Sequence, residues 1–297
     1  MRRDEINIRD PFVLRYLDTY YLYGTRSETC WGPADGFDCY TSRDLEEFEG
    51  PFEIFHRPEG FFADTCYWAP ECIFLKDAFY LITTFGSTDP NTKKGIYVLK
   101  SDSPTGPFIP YSQRLTPAEW TCIDGTVYFE QDTAYLVFSH SLEDNPEGVN
   151  GDFCRLKLKH DLSAPDGAPE VMFSAKDAPW ARPVPFAKAE FNIEGDAYFS
   201  DGPFLIKADD SALYMIFSSW SNGGYAIGAA RSESGSIQGP WCLQERPLFP
   251  ENGGRGMLFK DNRENLLLTL HYPNDKHMEH PCFTPVRVEN NELSLAQ

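Results

Sequence analysis

Three aspartates stand at the mouths of three strand-like runs: Asp10 in "NIRDPFVL", Asp124 in "CIDGTVYFE" and Asp201 in "YFSDGPFLIK". Each is followed by Pro or Gly and then by apolar residues. Taken singly, such an aspartate is a turn residue that accepts backbone hydrogen bonds. Turn chemistry gives no reason for the same junction to recur at corresponding places in a repeat. Carboxylates brought into one partly closed pocket cannot all ionise without cost, because like charges push pKa values upward. One group then stays protonated and serves as an acid, while another stays ionised and serves as a base. Glycosidic-bond hydrolysis needs that division, with the two working groups about 6.5–9.5 Å apart when a water attacks directly.

The elements that must bring these residues together are strands. Aromatic residues make up 15% of the chain, with 23 Phe and 15 Tyr, and short apolar runs end in Gly, Pro, Asp or Asn. The runs fall into five units. They open at "RDPFVLRY", "WAPECIFL", "IDGTVYFE", "SDGPFLIK" and "GGRGMLFK", and each continues with a second strand of the type "YYLYGT" and then a third. Units one, two and four close alike, in "TSRDLEEFEGP", "SDSPTGPF" and "SESGSIQGPW". Five such units predict an all-β fold, a five-bladed β-propeller, as a single domain over residues 1–297. First strands would line the central axis and aim Asp10, Asp124 and Asp201 from equivalent positions into one funnel. Glu71 in "WAPE" and Arg255 in "GGRG" take similar places and are expected to bind substrate.

Composition narrows the ligand. A net charge of −19 repels nucleic acid and anionic membranes but not a neutral sugar. There is no run of about 18 apolar residues. The start, "MRRDEINIRD", has no apolar stretch behind its arginines, so a cytoplasmic location is expected. Eight scattered cysteines without a CxxC pair read as free thiols. No P-loop, G-x-S-x-G, HExxH, GxGxxG or WD-type signature occurs. Trp31, Trp68 and Trp220 lie near the junctions, where they either stack on a sugar ring or pack in the core. His271, after "LLLTL", is a ligand contact or a satisfied core histidine. His277 and His280 in "HMEH" read as a polar surface loop.

Together, "RDPF…YYLYGT", "WAPE", "IDGT", "DGPFL" and "GGRGMLFK…LHYPN" resemble glycoside hydrolase family 43, the five-bladed propeller glycosidases, over nearly the whole chain. The resemblance implies an inverting hydrolase acting on arabinose-, xylose- or galactose-containing glycans. It assigns Asp10 as general base, Asp124 as the carboxylate that tunes and orients the acid, and Asp201 as general acid.

Two positions depart from the family pattern. The family's acid is usually Glu in "EGP", and Asp201 is one methylene shorter; Glu190, Glu194 and Glu71 are alternative acids. Arg255 replaces a His of "GHG" near a central cation such as calcium. Its guanidinium brings its own charge, so neither a metal nor another cofactor is expected. These departures motivate the alternative reading, a propeller that binds oligosaccharides without cleaving them. Loops at residues 32–36 and 142–151 would close the funnel and set specificity.

Overall fold

The apolar runs of the second strands explain the architecture. Alternate residues of a strand point to opposite faces, and here both faces find a core. Along "TAYLVFSH", Ala134, Leu136 and Phe138 pack with Ile82, Ile96 and Val98, whereas Tyr135 and Val137 pack with Met215 and Phe217. Along "LYMIFSSWS", Leu213, Met215 and Phe217 face one neighbour, while Tyr214 and Ile216 face another with Leu258 and Leu268. A sheet buried on both sides must lie between two others.

In the computed structural model, which describes residues 1–208 and 211–296, five four-stranded antiparallel sheets do so around a ring. In each sheet the strands follow chain order outward. Blade one is β1 (Ile8–Tyr16), β2 (Thr19–Arg26), β3 (Gly36–Ser42) and β4 (Phe48–His56). Blade two is β5 (Thr65–Leu75), β6 (Ala78–Gly86), β7 (Gly95–Ser101) and β8 (Ile109–Pro110). Blade three is β9 (Cys122–Glu130), β10 (Thr133–His140), β11 (Asp152–Leu158) and β12 (Glu170–Ser174). Blade four is β13 (Asp201–Lys207), β14 (Leu213–Ser221), β15 (Gly224–Ser232) and β16 (Trp241–Leu243). Blade five is β17 (Gly254–Lys260), β18 (Leu266–Tyr272), β19 (His280–Glu289) and β20 (Glu292–Leu295). The predicted five-bladed propeller is therefore present.

First strands form the inner wall: β1 packs against β5 and β17, β9 against β5 and β13, and β13 against β17. Among the described residues no strand is exchanged between the first and last blades. The ring closes through side chains instead. Phe12 and Val13 share a core with Met257 and Phe259. Beside that core, Glu279 of blade five accepts from Arg9 at 2.7 Å and from Ser27 at 2.7 Å. Burial works against ionisation of Glu279, but these donors outweigh it and hold its carboxyl below the usual range. All eight cysteines are free thiols. Among the described residues no helix is long and apolar enough to cross a membrane.

Candidate active site

Every inner strand carries a bulge at the same register, and β5 carries a second one between Thr65 and Trp68. Arg9 pairs with Thr25 and Phe12 with Tyr23, so two residues on β1 oppose one on β2. The same two-for-one step occurs after Trp68, Ile123, Asp201 and Gly254. The first bulged residue has a left-handed φ in every blade: Asp10 53°, Ala69 49°, Asp124 55°, Gly202 53° and Arg255 40°. Its N–H is turned out of its own sheet and must find an acceptor elsewhere. In four blades the preceding blade's second strand supplies it. Thr25 Oγ1 accepts from Ala69 (2.8 Å), Thr84 Oγ1 from Asp124 (2.9 Å), Ser218 Oγ from Arg255 (2.9 Å) and His271 Nδ1 from Asp10 (3.2 Å). Ser139 holds the corresponding register position before blade four, but its Oγ has no partner among the described residues.

This register corrects the expected equivalence of the three aspartates. Asp10, Asp124 and Arg255 occupy one position. Asp201 stands one residue earlier, in line with Arg9 and Trp68, and Glu71 stands two residues later. The reason lies at Gly202. A Cβ there would come within 2.7 Å of Arg255 Cγ. The arginine stem crosses the space that a side chain would need, so blade four presents its carboxyl from the neighbouring residue.

Arg255 fills the centre beneath the three aspartates. Its Nη1 donates to Glu71 at 2.9 Å and its Nε to Asp124 at 3.3 Å, and both Arg255 and Glu71 are 1% exposed. Burial opposes the guanidinium's charge, but Glu71, Asp124 and Asp10 outweigh it and keep Arg255 protonated. Glu71 is nonetheless raised by burial, against the pull of Arg255 and Thr126. Asp124 is pushed well above the usual carboxylate range by burial first and by the adjacent Asp201 second, with Arg255 opposing. The neighbouring Asp201 thus adds to burial in opposing ionisation of Asp124, which retains its proton under conditions where an isolated carboxyl would lose it.

Asp10 accepts from Thr25 Oγ1 at 2.6 Å. His271, completely buried, lies beside it with Nδ1 3.6 Å from Oδ1. Burial, then Arg9, depresses the imidazole's pKa far below its ordinary value. A neutral ring suits its two contacts: Nδ1 accepts from the Asp10 N–H, and Nε2, 3.2 Å from Asn274 Oδ1, carries the hydrogen.

Above this floor opens a pocket of about 540 Å³ lined by all three aspartates. One wall is aromatic and cationic. Trp31 meets Trp68 edge-on at 5.7 Å, the Arg9 guanidinium lies 5.3 Å from the Trp31 ring, and Lys94 Nζ lies 5.1 Å from the Trp68 ring. Lys94 also pairs with Glu143 at 2.6 Å. Another wall comes from the connection between blades three and four, which carries the short helix α1 (Ala187–Phe191). Phe186, Phe191, Phe199 and Trp220 line it, with Phe186 edge-on to Trp220 at 5.1 Å. Aromatic faces beside paired carboxyls suit a sugar ring, whose C–H faces stack while its hydroxyls take hydrogen bonds.

Relatives of known structure share this frame. The profile described as Glycosyl hydrolases family 43 matches residues 5–288. The structure of an endo-arabinase from Bacteroides thetaiotaomicron VPI-5482 superposes with a TM-score of 0.87 at 31% identity, covering 98% of each chain. The chain belongs to glycoside hydrolase family 43. An endo-1,4-beta-xylanase of the same bacterium (21% identity, TM-score 0.74, 98% and 95% covered) and an alpha-L-arabinofuranosidase from Lactobacillus brevis (16%, 0.74, 99% and 97%) share the fold. No curated protein sequence matched. As a family 43 member the protein is a glycosidase acting on O-glycosyl bonds, and the non-cleaving alternative gives way.

Of the expected site residues, Asp10, Asp124, Asp201, Trp68 and Trp220 line the pocket. Glu71, Arg255 and His271 do not. They lie buried beneath it, Arg255 against Glu71 and Asp124, and His271 against Asp10. Of the alternative acids only Glu190, on α1, reaches the pocket; Glu194 is exposed and paired with Lys188. The centre does not suit a metal ion, because the guanidinium already sits against Glu71 and Asp124. His280 Nδ1 lies 2.9 Å from the Ile6 carbonyl and His277 is exposed. The loop at 142–151 contributes Glu143, whereas residues 32–36 contribute none and Cys30 and Trp31 stand just before them.

Sequence reasoning missed Arg9, Lys94, Phe186, Tyr225 and Lys276. One signal could have found Tyr225. Gly254 sits where a Cβ would lie 1.9 Å from Tyr225 Cε1, and a paired glycine ahead of an inner strand calls for a bulky group above it.

Proposed function

We propose that this family 43 enzyme hydrolyses arabinose-containing glycans by a single displacement with inversion. The observation that carries the reading is the placement of three carboxyls from three blades around one pocket. The similarity to an endo-arabinase at 31% identity supports arabinose among the family's sugars. Asp10 takes a proton from a water as that water's oxygen bonds to the anomeric carbon. Asp201 gives its proton to the departing glycosidic oxygen as the carbon–oxygen bond breaks. Asp124 faces Asp201 and keeps the proton available to it, while Arg255 below limits the repulsion among the acids. The products are a free reducing sugar and the shortened alcohol, and the two working carboxyls end with their protons exchanged.

The test combines a substrate panel with one variant. Linear arabinan, xylan and galactan, with the para-nitrophenyl glycosides of the three sugars, should show arabinosides turned over fastest. A clear preference for xylosides or galactosides would overturn the choice of sugar. Asp201→Asn should lose about 10²–10⁴-fold on arabino-oligosaccharides and far less on the para-nitrophenyl glycoside, which needs little acid assistance. Undiminished cleavage of oligosaccharides by that variant would move the acid role to Glu190.

A further inference from the structure

Asp201 has two carboxyl oxygens and, among the described residues, one hydrogen-bond donor. Tyr225 donates its phenolic O–H to Oδ2 at 2.6 Å, and Oδ1 is buried with no donor among the described residues. The orientation of this short side chain therefore depends on the phenol. The ring of Tyr225 is itself fixed. It rests on the bare backbone of Gly254, lies nearly parallel to His271 at 6.0 Å and 24°, and meets Trp220 at 6.0 Å. Its backbone belongs to β15, the third strand of blade four, whereas Asp201 opens the first. Position is thus imposed from a different strand, across the pocket floor.

We propose that Tyr225 is the positioning residue for the general acid, aiming Asp201 at the leaving oxygen. A carboxyl on one methylene has less reach than one on two, and its angle can be lost by free rotation of χ2. A single strong donor on Oδ2 removes that freedom and fixes the direction in which Oδ1 points. The phenol remains a donor at any working pH, since burial and then Asp201 hold its pKa far above the ordinary value. Gly254 completes the device, because any side chain there would displace the ring. This assignment rests on Asp201 being the acid.

The experiment compares Tyr225→Phe with the unaltered enzyme on para-nitrophenyl and on phenyl α-L-arabinofuranoside. Tyr225→Phe keeps the ring in its seat and removes only the donor. A misaimed acid should cost on the order of 10²-fold in kcat on the phenyl substrate and only a few-fold on the para-nitrophenyl one. The donor favours the ionised carboxyl, so its removal should move the descending, basic limb of the kcat/KM profile to higher pH. Placing 3-fluorotyrosine at 225, a stronger donor of nearly the same shape, should move that limb to lower pH and needs no new packing. In an Asp201→Asn background, Tyr225→Phe should cost nothing further. Equal losses on both substrates, an unmoved limb, or a further loss in that background would overturn the role of Tyr225 while leaving Asp201 as acid. If Asp201→Asn shows no dependence on the leaving group, the acid assignment falls, and the role of Tyr225 falls with it.

Discussion

Asp10→Asn should lower kcat about 10²–10⁴-fold while the protein stays folded with a nearly unchanged melting temperature. The fold survives because each local demand at this position is met by asparagine. Asp10 has φ of 53°, a left-handed conformation that asparagine adopts more easily than most residues. Its N–H still donates to His271, and an amide oxygen can still accept from Thr25 Oγ1. Only the ability to take a proton from water is lost. Asp10→Ala would be a poorer test, since it adds backbone strain and strands the Thr25 hydroxyl. A kcat within about tenfold of the unaltered enzyme would show that another group activates the water.

Arg255→Met should destabilise the fold by about 3–5 kcal/mol, the cost of leaving a buried charge without its partner. Glu71 is 1% exposed and loses its 2.9 Å contact, and Asp124 loses the guanidinium paired with it at 3.3 Å. The effect has a signed pH dependence. Without the guanidinium the folded-state pKa values of Glu71 and Asp124 rise further above their unfolded values. Protons are then bound more tightly by the folded chain, so stability is best preserved at acid pH and falls as pH rises from about 4.5 through neutrality. Urea unfolding at two pH values measures this. Adding Glu71→Gln to Arg255→Met should recover part of the loss. Equal stability of Arg255→Met and the unaltered protein at neutral pH would mean that the buried pair contributes nothing.

Much of the fold was legible because both faces of each blade are buried. Strands such as "TAYLVFSH" and "ALYMIFSS" are continuously apolar, and five of them at repeat spacing specify a ring. Asp10 and Asp124 were legible because Asp before Pro or Gly marks the bulge itself. Asp201 was found for its chemistry but misplaced by one residue, since the need for Gly at 202 arises from Arg255, about fifty residues away in the chain. Glu71 and Arg255 were assigned to substrate because the bulge decides which side chains turn up into the pocket and which turn under it, and a bulge is a property of two strands. The α1 wall left no periodic signal. Its helix is five residues long, and its aromatic side chains are held by Trp220 of β14 and by one another.

In the proposed mechanism a water activated at Asp10 attacks while Asp201 protonates the leaving oxygen, with no covalent intermediate. Proton NMR of the anomer first released from an α-linked arabino-oligosaccharide, recorded before mutarotation, tests it most directly. The β-anomer should appear first. Initial release of the α-anomer would mean double displacement, with one of the three carboxylates acting as a nucleophile, and would contradict the roles given to Asp10 and Asp201.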